Sequence, residues 1–275
     1  MGRGRLLIAA VIAAVALVTY FGSRQQNPIT GKTQAIALSR EQEVALGLQT
    51  APRMAAEFGG LDPSSAVQGA VETLGAQLVQ RGALAATGYR FRFRVLADRR
   101  TVNAFALPGG PVFITRALYD RLENEAQLAG VLGHEAGHVV GRHAAAQIAQ
   151  SQLLQGLAGA IGVAASDEYG RGQQAAVLAQ VVSQLVQLRY GREDELEADR
   201  LGVRFIAEAG YDPRALIRVM DILEAASRGG RPPEFLSTHP DPGNRRQRIR
   251  QAIAERFPDG VPANLTFGRP LRPPG

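Results

Sequence analysis

The segment His134-Glu135-Ala136-Gly137-His138 places two histidines four residues apart with a glutamate next to the first. An α-helix turns about 100° per residue, so these histidines sit about 40° apart on one face and can reach a single ion. Two imidazoles with an oxygen ligand suit zinc, and the spacing is that of HExxH. Glu135 falls beside such an ion rather than on it, where a carboxylate can take a proton from an attacking water. The chemistry this spacing points to is metal-assisted hydrolysis. Gly133, Ala136, Gly137 and Val139 surround the pair with small apolar residues, which fits a buried site better than two surface histidines.

A zinc centre of this kind needs a third protein ligand. The chain has no cysteine, so that ligand must be His, Asp or Glu, and disulfides and thiol nucleophiles are excluded together. His143 is out of register for HExxHxxGxxH, because that pattern needs a histidine at the position Ala144 holds. In a continuous helix it would also point about 140° away from His138, as an exposed or supporting residue. The run Glu193-Asp194-Glu195-Leu196-Glu197-Ala198-Asp199 is the better source. Spacing alone leaves Glu193, Glu195 and Glu197 as alternatives. Glu195 has Asp199 one turn on, so one face would offer a ligand and a second carboxylate to accept the free N–H of a ligating histidine. The last histidine, His239, precedes Pro240-Asp241-Pro242-Gly243-Asn244-Arg245 in a turn. It could fold back as a fourth ligand or steady an oxyanion.

The elements that must position these residues can be read from periodicity. Ser39 with Gln42 forms a capping box for a helix to about Thr50, and Asp62-Pro63 opens another that ends near Gly82. Tyr89, Phe91, Phe93 and Val95 alternate with arginines, the pattern of a half-exposed strand. Val102–Leu107 and Val112–Thr115 flank Pro108-Gly109-Gly110-Pro111 and predict a strand pair or bent strand at a sheet edge. Helix resumes from Ala117 to about Gln150. Residues 144–188 carry three formal charges and predict an apolar helical hairpin broken near Ser166–Gly172, either core or a membrane-facing cover over the site. Helices follow at about Arg192–Ala209, after Asp212-Pro213, and near Arg245–Glu255. The expected class is α+β, predominantly helical, with a small edge sheet and the HExxH on a helix.

HEAGH, EDELEAD and HPDPGNR, in that order, resemble the HExxH, ExxAD and HPxxxxR motifs of the membrane-associated gluzincin zinc metallopeptidases. That group includes the CAAX prenyl protease, HtpX and the BepA-like periplasmic proteases. The resemblance covers about residues 27–250, and Asn27–Gly31 and Asn103–Gly110 are similar to stretches of its exported bacterial branch. It implies one Zn2+ per chain, held by His134, His138 and Glu195, with Glu135 catalytic. It implies Asp199 as partner of a zinc-ligating histidine, and His239 and Arg245 close to the metal. It further implies that Asn103, Ala104, Phe105 and Ala106, or the strand Val112–Thr115, pair with an extended substrate. The tetratricopeptide repeats and multiple spans of other branches are not found in this sequence, which argues against a large partner-binding role and against prenylated substrates.

The N-terminus places Arg3 and Arg5 before an uncharged run from Leu6 to Gly22. This is longer than a signal h-region and slightly short of a full span. Ala14-Val15-Ala16 fits a cleavage site, but Leu17, Val18, Tyr20 and Phe21 follow it, which favours an uncleaved anchor. The basic flank would stay cytoplasmic and the remainder would face the periplasm. The expected organisation is a signal-anchor or signal peptide at 1–23, a linker at 24–38, a metallopeptidase domain at 39–256 and an irregular tail at 257–275. The net charge of +6 comes from arginines spread along the chain without aromatic interleaving, so nucleic acid is not an expected partner. The expected partners are the membrane, through the N-terminal segment, and unfolded or misfolded polypeptide. The function these readings favour is an endopeptidase of envelope protein quality control. The rivals are a latched, chaperone-like zinc module with little turnover and a zinc hydrolase of non-peptide bonds.

Overall fold

The computed structural model describes residues 2–165, 190–227, 233–240 and 243–271. These fall into two compact units, one drawn from residues 1–39 and 142–187 and the other from residues 40–141 and 188–275. The architecture is mostly helical with two small sheets, the α+β class expected.

The larger unit contains the three-stranded sheet. Strands β3 (Arg92–Leu96), β4 (Ala104–Ala106) and β5 (Pro111–Thr115) lie in the order β3-β5-β4, with β3 parallel and β4 antiparallel to β5. The alternation expected from Tyr89 is realised from Arg92, with Phe93 and Val95 buried and Arg92 exposed. The Pro-Gly-Gly-Pro segment turns β4 back onto β5. Gly109 and Gly110 hold φ of 79° and 127° there, and a Cβ on Gly109 would lie 2.3 Å from Val44 Cα, so only glycine fits. Strand β5 is the centre of the sheet, and all five of its residues are buried. Val112–Thr115 therefore cannot be the substrate edge that the resemblance left open, because both of its sides are already paired. The edge is β4.

Two helices precede the sheet. Helix α2 (Arg40–Glu57) runs past the end expected at Thr50 and past Pro52, because its last turns bury Met54 against Leu96, Leu107 and Phe113. Helix α3 (Ser65–Gln80) starts at Ser64, whose hydroxyl accepts from Val67 N, and buries Val71, Leu74 and Leu78.

The helix expected from Ala117 to Gln150 is three helices: α4 (Arg116–Tyr119), α5 (Glu125–Gly141) and α6 (His143–Ala165). The second break is at Arg142, which holds a φ of 59° while its guanidinium donates to Gln25 Oε1 and the Leu38 carbonyl. Helix α5 is buried at every position from Ala126 to Gly141, its polar side chains included. It packs on α7 (Arg192–Glu208) and α8 (Ala215–Ser227), and α10 (Arg245–Arg256) packs on α7. Short α9 (Glu234–Thr238) leads into His239. From Phe257 to Leu271 the chain forms no helix or strand of its own, yet it is fixed to α5. Carbonyls of Arg269 and Phe267 accept from Glu125 N and Ala126 N, two helix N-terminal donors that have no partner within the helix.

The smaller unit contains α1 (Gly2–Gly22), the hairpin of β1 (Arg24–Gln26) and β2 (Thr33–Ala35), and α6. The polar stretch read as a linker thus forms a hairpin, turned where Asn27 Oδ1 accepts from Ile29 N and Thr30 N. The expected hairpin break near Ser166–Gly172 and the second arm beyond it lie outside the described residues.

Candidate metal centre

Helices α5 and α7 cross closely because the contact consists of small residues. A Cβ on Gly137 would lie 2.9 Å from the Ala198 carbonyl oxygen, and one on Gly202 would lie 3.3 Å from His134 N. This close approach carries Glu195 and Asp199 on α7 up to His134 and His138 on α5. The turn after α9 adds His239, which is anchored by His239 N donating to the Phe235 carbonyl and by Tyr190 N donating to the Thr238 carbonyl.

The result is a four-donor cluster of His134, His138, Glu195 and His239, with every side chain buried. His134 Nε2 lies 3.1 Å from His138 Nε2 and 3.5 Å from both His239 Nδ1 and Glu195 Oε2. Glu195 Oε1 lies 3.4 Å from His138 Nε2 and 3.0 Å from His239 Nδ1. Zinc–ligand bonds of about 2.0–2.1 Å in a tetrahedron put donors about 3.3–3.4 Å apart, so the set has the spacing zinc requires. The donor types fit as well.

A second layer holds these donors in place. Asp199 Oδ1 lies 2.9 Å from His134 Nδ1, an ion-pair contact that turns His134 Nε2 toward the cluster. Arg245, fully buried, donates Nε and Nη2 to the two oxygens of Asp199 at 2.9 and 2.8 Å, and its Nη1 lies 3.2 Å from Glu195 Oε2. Its planar fork thus ties together the partner of one ligand and another ligand. Burial alone would push Glu195 and Asp199 up. The charges of His239 and His138 hold Glu195 well below the usual carboxylate range, and Arg245 and His134 hold Asp199 down.

Glu135 is set apart from this network. It is fully buried, and neither carboxylate oxygen has a hydrogen-bond donor among the described residues; His239 Nε2 is 3.5 Å from Oε1. Burial, helped by the Glu195 charge, raises its pKa. A buried acceptor without a donor costs about 1–3 kcal/mol, which is the mark of a group kept ready for something that arrives.

Strand β4 is an edge strand beside α5, and no strand pairs with its outer side among the described residues. Leu107 N donates to the Pro111 carbonyl and Thr115 N to the Asn103 carbonyl, so residues 103, 105 and 107 turn their backbone toward β5. Ala104 and Ala106 turn theirs outward. The Phe105 ring packs 5.3 Å from Phe58 and 5.2 Å from Phe113, and the Asn103 side chain is buried with Oδ1 lacking a partner among the described residues. At the start of the edge, Phe235 N donates to the Val102 carbonyl.

His134, His138, Glu195 and His239 thus come together with Asp199 and Arg245 beside them, whereas Val112–Thr115 is not at a sheet edge. His143 is buried rather than exposed, and it opens α6 instead of continuing α5; it is outside the four-donor cluster. Two aromatic residues were missed. Tyr190 stacks on His138 with centroids 3.8 Å apart and planes 20° from parallel, and Phe235 stacks on His239 at 4.4 Å. Neither has a sequence signal, because each contact depends on which turn folds onto which ring.

Comparison with known proteins agrees with this geometry. The model of peptidase family M48 matches residues 65–253, from α3 through most of α10. The β-barrel assembly-enhancing protease of Yersinia pestis is 33% identical over 225 residues, covering 79% of this chain and 45% of that protein. The protein of the same name from Escherichia coli (strain K12) is 29% identical over 272 residues, 95% of this chain and 55% of its own length. The mitochondrial metalloendopeptidase OMA1 of Bos taurus is 30% identical over 250 residues, 87% of this chain and 48% of that protein. The chain spans about half the length of these curated relatives. With HExxH on α5, the downstream glutamate on α7 and a family match over most of its length, the chain belongs to peptidase family M48.

Proposed function

We propose that the chain is a zinc-dependent endopeptidase, held by α1 at the periplasmic face of a bacterial inner membrane, that cuts unfolded or misfolded exported polypeptides in envelope quality control. The observation that carries this reading is a buried glutamate, Glu135, with no hydrogen-bond donor among the described residues, next to four converging metal donors on a helix that packs beside the edge strand β4. The relatives named as proteases support it.

His134, His138 and Glu195 would hold one zinc per chain. Bound there, zinc supplies the Lewis acidity that lowers the pKa of a water and polarises a scissile carbonyl. Glu135 takes the proton of the attacking water on a carboxylate oxygen and passes it to the leaving amine, a role its raised pKa suits. Asp199 keeps His134 in the tautomer that leaves Nε2 free, and Arg245 fixes Asp199 and Glu195 together. The outward backbone groups of Ala104 and Ala106 pair with an extended substrate, and Asn103 and Phe105 set the register of that edge.

One observation favours a second reading. His239 Nδ1 stands inside the donor set, 3.0 Å from Glu195 Oε1, where it would occupy the position a substrate needs. The chain would then be a latched, chaperone-like zinc module with little turnover. Casein cleavage by the full chain, with zinc quantified, separates the readings. Wild type is expected to cut, and Glu135→Gln to keep zinc but lose about 10²–10⁴-fold in rate. Cutting by His239→Ala alone would establish the latch. Zinc binding without cleavage by any variant would overturn the peptidase reading.

A further inference from the structure

Helix α6 does not obey the rule that brings apolar side chains inward. From His143 to Ala165 it contains no Asp, Glu, Lys or Arg, and the first such residue beyond it in the sequence is Asp167. Leu154 and Ile161 nevertheless stand 58% and 70% exposed. Its neighbour α1 likewise leaves large apolar side chains exposed, from Leu6 to Phe21. Gly4–Gly22 is long and apolar enough to cross a membrane, and Leu7, Val15 and Val18 on it are all more than half exposed. At about 1.5 Å per residue this stretch is close to the ~30 Å thickness of a hydrocarbon core.

The two helices lie side by side and antiparallel. Arg142, just before α6, donates to Gln25 and Leu38, which follow the C-terminal end of α1. Farther along α6, Gly156 meets Ala16, where a Cβ would fall 2.6 Å from the Ala16 methyl. Ala9 and Ala160 are also buried in this unit. Small residues at the contact let helix backbones approach, as they do between helices in lipid. With about 1.5 Å of rise per residue in each helix, Ile161 falls level with Val11. Between them is a cavity of about 450 Å³ lined by Val11, Val15, Tyr20, Ile36, Leu153 and Gly156.

We propose that α6 enters the bilayer alongside α1, so that the exposed face carrying Leu154 and Ile161 contacts lipid and acyl chains fill the groove between the helices. The proposal rests on α1 remaining in the membrane. An element packed along a membrane span shares its depth, and a helix without a charged side chain for its whole length can enter where α1 already lies. The chain would then be held by two helices rather than one.

The natural absence of cysteine allows a direct test on the full chain in phosphatidylcholine–phosphatidylglycerol vesicles. Val18→Cys, Ile161→Cys and Gln247→Cys, the last on the exposed side of α10, each receive an environment-sensitive fluorophore. Zinc content confirms that each variant is folded. The expected result is that the labels at 18 and 161 are quenched by doxyl groups on lipid tails and lose iodide quenching, while the label at 247 does the reverse. Lipid quenching at 18 with iodide quenching at 161 overturns the proposal and leaves the anchor intact. A label at 161 shielded from both quenchers assigns the face to a protein partner or a second copy, and also overturns it. Iodide quenching at both positions overturns the anchor and the proposal together.

Discussion

Helices α5 and α6 are consecutive in the chain, with only Arg142 between them, and they distribute polarity in opposite ways. Helix α5 is buried from Ala126 onward and takes three ionisable side chains inside with it; α6 is uncharged and leaves large apolar side chains outside. Each departure is costly in water. The first is stabilised by partners: His134 by Asp199, and Asp199 and Glu195 by Arg245. The second has no such compensation in its own side chains, so the compensation must come from its surroundings. A polar group inside thus identifies its ligand by the partners around it, whereas an apolar group outside identifies its solvent.

The strongest way to break the first half of that comparison is to remove the cation. Arg245→Ala leaves Asp199 and Glu195 as buried carboxylates, and uncovering a buried pair costs about 3–5 kcal/mol. Unfolding of the zinc-free protein should move to lower temperature by about 10 °C or more. Ile161→Gln on α6 should leave that transition within about 0.5 kcal/mol of wild type, as surface substitutions do. A small effect at Arg245 would mean that the carboxylates are not held by it.

The metal half can be sharpened through protons. In the metal-free site His134 has a pKa raised to about 9: burial opposes its charge, but Asp199 and Glu195 together outweigh burial. A raised folded-state pKa means that the protonated ring stabilises the fold fully below its unfolded value of about 6.5, and that this contribution is lost as pH rises toward 9. Zinc needs the lone pair on Nε2 that the proton occupies. Binding below about pH 9 should therefore release a proton from His134, with zinc affinity rising about tenfold per pH unit up to that point. Calorimetry in buffers of different ionisation enthalpy measures the proton count. Asp199→Asn should move the plateau to lower pH, and an unmoved plateau would remove Asp199 from this role.

The chemistry was more legible in the sequence than the architecture that delivers it. HExxH fixes its own geometry through the helical repeat, so His134, Glu135 and His138 needed no tertiary knowledge. Glu195 could not be told from Glu193 and Glu197 by spacing, because all three stand in one acidic turn and only packing against α5 selects among them. Arg245 was placed near the metal by resemblance, but its bidentate grip on Asp199 depends on how α10 meets α7. The break at Arg142 was invisible, since the apolar run continues through it and the cause is hydrogen bonding to Gln25 and Leu38, remote in sequence. Likewise, which of two short apolar strands forms the edge is decided by pairing with β3, and nothing in Val112–Thr115 itself announces that.

Glycine substitutions probe the packing on either side of Arg142. Gly137→Ala places a methyl 2.9 Å from the Ala198 carbonyl oxygen and 3.0 Å from Ala198 Cα, where nothing flexible can give way. Helix α7 must shift, at a cost of about 1–3 kcal/mol, and Glu195 and Asp199 shift with it. Zinc affinity in competition with a chelator should therefore fall together with stability. If stability falls while affinity is kept, the α5–α7 contact does not set the donor spacing.

The smallest effect expected has the opposite sign. A methyl added at Gly159, on α6, would have no described atom within 4 Å, so Gly159→Ala meets no steric cost. It removes backbone freedom from the unfolded chain and should stabilise α6 by about 0.4–1 kcal/mol. Three residues earlier, Gly156→Ala drives the same methyl into Ala16 and should separate α6 from α1. Helicity and vesicle binding of the two variants, measured together, distinguish a helix that needs its glycines for flexibility from one that needs a single glycine for contact. Equal behaviour at the two positions would argue that α1 and α6 do not pack through Gly156, and with that the shared depth of the two helices would lose its structural basis.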